Sequence, residues 1–307
     1  MTAGEQDGPP VAGQGAELVR GVSLWQDAWA RLKRNRMAMI GAANTLLLVF
    51  LCFLGPIAVR AVWGYGYETQ DLAYGARPPN AEHWFGTDFF GRDLLTRVLY
   101  GGQISLTVGL LAATVAATVG TLYGAVSGYL GGRVDNLMMR IVDVIYALPY
   151  MFLVIILIAI FQATNLVSLF VGLGMVGWLM TARIVRGQIL SLKEREFVQA
   201  ARSMGVSGPT TIVRHLIPNT LGPIIVYFTL TVPSMILQEA FLSFLGLGVQ
   251  APRPSLGALI NDGAQHMTVF WWELVFPATA MAVLLFSLNF VGDGVRDALD
   301  PQMRGRG

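Results

Sequence analysis

Three acids interrupt or border long apolar runs, and any chemistry in this chain starts from them. Asp143 and Asp293 sit near the ends of their runs, whereas Glu239 lies deep inside one that holds no basic residue. A carboxylate at the centre of a bilayer costs about 2.5–3.5 kcal/mol on insertion scales, so such acids are paired, face water, or mark a pathway. Glu239 therefore faces a cavity, bonds another helix, or carries a proton. Asp143 and Asp293 need no special role so near the run ends, but they join Glu239 as candidates for a translocation path or gate.

Catalytic constellations are missing. His83, His215 and His266 are far apart and form no HExxH, no Ser sits in GxSxG, and no metal site is expected. The only lysines, Lys33 and Lys193, follow Leu32 and Leu192, so there is no phosphate loop. The chain alone cannot hydrolyse ATP by a P-loop mechanism. If ATP drives it, another subunit binds the nucleotide. Gly172-Leu173-Gly174-Met175-Val176-Gly177 matches a dinucleotide fingerprint in letters, but no strand precedes it and it lies inside an apolar run. No cofactor and no enzymatic role are expected.

The elements that hold these residues follow from composition. Of 307 residues 54% are hydrophobic and 13% charged, about half the usual charged share. The charges cluster, leaving long uncharged runs, which makes lipid part of the solvent. A net charge of +2 gives no footing for nucleic acid. Cys52 is alone, so no internal disulfide forms. Residues 1–22 are polar and rich in Gly and Pro, and are expected to be a disordered cytosolic tail.

Six spans are expected, near 37–59, 104–128, 141–161, 166–185, 222–246 and 274–292. The uncharged run from Val144 to Ala182 would be a helix of about 58 Å, against about 30 Å of hydrocarbon. It must fold back, and the polar patch Gln162, Thr164, Asn165 is the expected turn. The runs lack the alternation of a barrel, so the fold is all-α. Sixteen of the 21 Lys and Arg fall on one side of this topology, which puts both termini in the cytosol. The 60–103 and 249–272 loops then face outward. The aromatics of the first (Trp63, Tyr65, Tyr67, Tyr74, Trp84, Phe85) sit at the membrane interface or meet a periplasmic binding protein.

Leu24, Trp25, Ala28, Trp29 and Leu32 recur at helical spacing beside Arg31, Lys33, Arg34 and Arg36. Residues 23–36 read as an amphipathic interfacial helix, or as a simple topology anchor. Residues 37–307 form the transmembrane domain. Gly120, Gly124 and Gly128 continue a small-residue stripe from Ala112 and Ala116, a face for close helix packing within or between subunits.

The 186–218 loop reads as a helix, a turn and a second short helix. Phe197, Ala200, Ala201 and Met204 form an apolar stripe, Gly205 suits a left-handed helix end, and Ser207 can cap the next helix with Pro209 in its first turn. Such a hairpin either docks on a partner or folds back on its own spans.

This segment resembles the EAA loop of permease subunits of bacterial ABC importers. Ala200, Ala201, Gly205 and Pro218 match in register, Gln199 replaces the family Glu, and His215 and Ile217 replace an Ile and a Leu. The resemblance implies a coupling helix that sits in a cleft of the ATPase subunit. The Gln removes a charge there, leaving Glu194 and Glu196 nearby, so Glu196, Gln199 and Met204 join the candidate coupling residues. A second resemblance is independent. Phe85-Gly86-Thr87-Asp88-Phe89-Phe90-Gly91-Arg92-Asp93 is similar to the FGTDxxGRD motif of the peptide and nickel branch. Tyr100 to Leu106, Ser127 to Gly132 and Phe241 to Gly248 continue it. The matches run from about residue 23 to the C-terminus and resemble the C-type permease of oligopeptide and dipeptide importers.

That family implies a six-helix, type I importer-like inner-membrane permease passing peptides inward. It implies as partners a homologous second permease, two ATP-binding cassette ATPases, a periplasmic or lipid-anchored substrate-binding protein and membrane lipid. Nickel or glutathione import within the same family, and a proton-coupled secondary peptide transporter, are the alternatives.

Overall fold

A computed structural model describes residues 24–160 and 166–300. The expected tail at 1–22 and the turn at Gln162, Thr164 and Asn165 lie outside the described residues. Among the described residues all regular structure is helical, with one isolated bridge, Thr87 to Asp93. The helices are α1 (Leu24–Arg34), α2 (Arg36–Trp63), α3 (Leu94–Leu130), α4 (Gly132–Tyr146), α5 (Tyr150–Ile160) and α6 (Leu166–Leu192). After them come α7 (Glu196–Ser203), α8 (Gly208–Thr211), a π turn over Ile212–Leu216, α9 (Ile217–Asn219), α10 (Leu221–Phe244), α11 (Leu256–His266) and α12 (Trp271–Leu299).

Among the described residues five helices are long and apolar enough to cross a membrane, and the bent pair α4–α5 brings the number to six if it is one span. The sequence places an unbroken span at 141–161, and here the structure differs. α4 and α5 meet at 89°. Pro149 is the cause: a proline disfavours the α conformation in the residue before it, so α4 stops at Tyr146 and the chain restarts beyond. The second run is also longer than its apolar core. Asp93 caps α3, accepting from Thr96 N at 2.7 Å, and the helix reaches about 55 Å, well past the hydrocarbon. The loop expected at 249–272 likewise contains a helix, α11, which Ser255 caps by accepting from Ala258 N.

The core lies between α3, α6 and α10. Ala112, Ala116, Leu173 and Ile236 there are wholly buried. Gly120 faces the backbone of Trp178, Gly124 that of Ala182 and Gly128 that of Arg186, so closely that an added Cβ on Gly124 would lie 2.3 Å from the Ala182 carbonyl. Gly174 faces Val115 and the Ala112 carbonyl of α3, while Gly177 meets the Met235 side chain of α10 and, less closely, Ala116 of α3. The letters that look like a nucleotide fingerprint are thus one half of a helix-packing face. By contrast α2 and α12 bury little of their surface within the subunit.

At one end of the bundle, α1 lies against α12 with Ala28 buried and Trp25 and Trp29 exposed. Asn35 separates α1 from α2 and accepts from Ala38 N. α7 to α9 occupy this same end. At the opposite end, residues 64–93 and α11 are folded together, and Trp272 Nε1 donates to the Thr87 carbonyl at 3.0 Å.

Candidate functional site

α7 follows α6 after a three-residue turn, so whatever touches α7 acts on a helix of the core. Its inner face is anchored: Val198 packs with Ala125, Val185, Ile189 and Leu216, and Ala201 is buried beside it in sequence register. Glu196, Phe197, Gln199, Ala200 and Met204 are exposed. The expected stripe is therefore split. Ala201 lies three residues from Val198 and shares its buried face, leaving Phe197, Ala200 and Met204, at spacings of three and four, on the open one.

The hairpin ends by local chemistry. Gly205 sits at φ +78°, its N–H donates to Arg202 O, and Val206 N donates to Ala201 O, the two bonds of a Schellman cap. Ser207 occupies the next N-cap position but makes no capping bond; its hydroxyl pairs with that of Thr210 at 2.8 Å. The second helix is short and broken by the π turn, and Pro218 is exposed in α9. Gln199 donates to Glu194 O rather than forming an ion pair.

Around the foot of α6 lies an unpredicted cluster. Asp135 of α4 accepts from Arg186 of α6 and from the buried Ser127 hydroxyl of α3 at 2.6 Å. Lys193 reaches the Gly128 carbonyl at 3.1 Å. One turn away Asp143 accepts from Arg183 at 2.8 Å, and the Arg183 guanidinium lies 4.3 Å from the Tyr146 ring centre. Asp143 is thus half of a bridge between α4 and α6. Asp293 is exposed near the end of α12.

Glu239 is wholly buried. It accepts from Ser105 of α3 at 2.8 Å and from Ser243 one turn on at 2.7 Å. Ser255, the cap of α11, donates to the Ser243 hydroxyl at 3.1 Å, and Leu256 N donates to Ser105. Of the readings open for this acid, bonding another helix is the one seen: it ties α3, α10 and α11 together. Asp143, Glu239 and Asp293 are not brought to one place.

The Gly86–Asp93 motif folds into a polar knot at the α11 end. Asp88 accepts from Arg92 Nε at 2.7 Å and from Arg97 at 2.6 Å on the same oxygen. Its other oxygen takes the N–H groups of Phe90 and Arg92. Gly91, at φ +69°, lies so close to the Asp71 carbonyl that no side chain fits. Asp93 accepts from His83 at 2.8 Å as well as capping α3. Partial burial, with Asp93 and Glu82 adding negative charge, pushes the nearby Tyr65 phenol up to about 12. Among the loop aromatics, Phe85 stacks on Phe276 and Tyr67 on Tyr100, while Trp63, Trp84 and Phe89 remain exposed.

Ser105 and Asp135 left no signal of their own in the sequence. Ser243 did, one turn from Glu239, and so did Asp93, three residues before a threonine.

Comparison with known proteins completes the picture. The profile of the family described as binding-protein-dependent transport system inner membrane component matches residues 120–305. A second, described as the N-terminal TM domain of oligopeptide transport permease C, matches residues 23–79. The chain is 52% identical over 288 residues to the oligopeptide transport system permease protein OppC of Escherichia coli (strain K12), covering 93% of this chain and 94% of that one. It is 46% identical to the dipeptide transport system permease protein DppC of Bacillus subtilis (strain 168), covering 92% and 87%. Identity to the glutathione transport system permease protein GsiD of Escherichia coli O6:K15:H31 is 39%, covering 92% and 91%. Among solved structures, a chain of the MetNI methionine ABC transporter in an inward-facing conformation superposes with a TM-score of 0.53 at 18% identity, covering 67% of this chain and 96% of that one. That match shows a shared fold.

Proposed function

Because this chain belongs to the binding-protein-dependent transport system inner membrane component family, a family of multi-pass inner-membrane permeases, we propose that its cargo is peptides, and oligopeptides in particular. The observation that carries the reading is the 52% identity, over nearly the whole length, to a permease named for oligopeptide transport. The α7 end is cytosolic, in keeping with the excess of Lys and Arg there, and the α11 end faces outward. A second, homologous permease completes the pathway, and a substrate-binding protein delivers the peptide. Two ATPase subunits supply the energy. They receive the open face of α7, with Phe197, Ala200 and Met204 in contact and Glu196, Gln199, Gly205 and Pro218 around it. Their closure on ATP biases the permeases between two states.

Reconstitution of the whole complex into liposomes tests this. ATP-dependent accumulation of an oligopeptide is expected, with no accumulation by this chain alone. Accumulation of glutathione without oligopeptides would move the cargo to that of the 39% relative. Uptake by the isolated chain on a proton gradient would overturn the reading.

A further inference from the structure

The outward end holds a cleft of about 440 Å³ that the reading above leaves without a role. That volume lies within the range of small-molecule sites. The floor reaches Ser243, the hydroxyl that donates to Glu239. One wall carries Arg92 and Arg97, both nearly buried. They are held on a single oxygen of Asp88, and the Nε of Arg97 has no hydrogen-bond partner among the described residues. The other wall is the 246–254 loop with Arg253, which is exposed and makes no ion pair among the described residues. Asp262 is the acid on the rim, 3.9 Å from Arg97.

The charges do not cancel. The cleft's own lining carries three guanidinium groups against one carboxylate, Asp262; behind the wall Asp88 is turned inward on Arg92 and Arg97, and Glu273 is paired with His266. The surplus cation is Arg253, a side chain whose planar fork matches a carboxylate. Gln70 and Asn261 add side-chain amides to the same walls, groups that pair with peptide N–H and C=O.

We infer that this cleft is a carboxylate subsite, in which Arg253 receives the C-terminal carboxylate of an incoming peptide. The inference rests on the reading of the chain as a peptide permease with its α11 end outward. A concave site of this size takes the end of a small solute more readily than the flat face of a protein.

The test uses the whole complex in liposomes, with penta-alanine and its C-terminal amide as probes. The Arg253→Gln variant is expected to raise the half-saturating concentration of penta-alanine about tenfold, the scale of one lost charge-assisted hydrogen bond. The amide is expected to be unchanged, and Arg253→Lys to recover most of the loss. An equal rise for both probes would place the carboxylate on the binding protein instead and overturn the subsite, as would no change for either. If the unaltered complex moves neither probe, it is the peptide reading itself that fails.

Discussion

Arg186 of α6 holds Asp135 of α4 by a two-pronged bond, Nε to Oδ1 at 2.5 Å and the terminal nitrogen to Oδ2 at 2.6 Å. The pair fixes the first turn of α4 to the stretch of α6 that leads into α7. Asp135 is buried, so removing its partner strands a charge. Arg186→Leu should lower stability by about 2–4 kcal/mol, less than the ~3–5 kcal/mol for a fully buried pair because the Arg186 side chain is partly exposed. Asp135→Asn combined with Arg186→Gln should cost less than the sum of the two single changes. Thermal unfolding of the purified complex measures both, and strict additivity would show that the two side chains do not interact.

The two faces of α7 should separate under mutation. Met204→Glu and Gly205→Glu change exposed positions, and nothing lies within 4 Å of a Cβ on Gly205. The left-handed backbone there costs a non-glycine residue roughly 1–2 kcal/mol. Both variants should therefore insert and fold, yet lose ATP-dependent uptake and co-purification of the ATPases. Val198→Asp places a charge in the buried cluster and should reduce the yield of folded protein. Normal uptake by Gly205→Glu would count against docking at this face.

A glycine pair makes an internal control for packing. Gly124→Ala sets a methyl against the Ala182 backbone and should destabilise by about 1–3 kcal/mol, the usual cost of overpacking. Gly187, within α6, has open space around its Cβ. Gly187→Ala should be neutral or stabilise by up to about 1 kcal/mol through helix propensity. Equal melting temperatures for the two variants would refute the close approach of α3 and α6.

Glu239 is assigned a bonding role, and its variants can tell that from a transport role. Glu239→Leu leaves the Ser105 and Ser243 hydroxyls without their acceptor and should cost about 1–3 kcal/mol or more. Glu239→Gln keeps an acceptor oxygen and should retain most uptake. A Gln variant that is stable but inactive would make the ionised acid part of the pathway.

The sequence speaks most clearly where the property is one-dimensional. The apolar runs that became α2, α3, α10 and α12 need only length and the absence of charge, whereas the break at Pro149 was missed, because Pro56, Pro233 and Pro277 sit inside unbroken helices and a proline alone does not mark a bend. The left-handed helix end at Gly205 was legible from the glycine itself, whereas the motif around Asp88 was visible as letters but not as the knot on Arg92 and Arg97. Relations between distant residues were hidden. Asp135 and Arg186 are 51 positions apart, and Ser105 and Glu239 are 134. No local pattern announces either pair. The same blindness put Ala201 in one stripe with Phe197, Ala200 and Met204, since the loop's fold decides which of two adjacent helix faces is covered.

The glycine stripe of α3 has a mechanical meaning. Where backbone meets backbone there is no cushion of side chains to take up a displacement, so α3 and α6 behave as one stiff beam. Arg97 stands at the far tip of that beam and α7 hangs from its near end. If α7 docks on the ATPase as proposed, a displacement there is expected to reach the polar knot as a tilt of the rod.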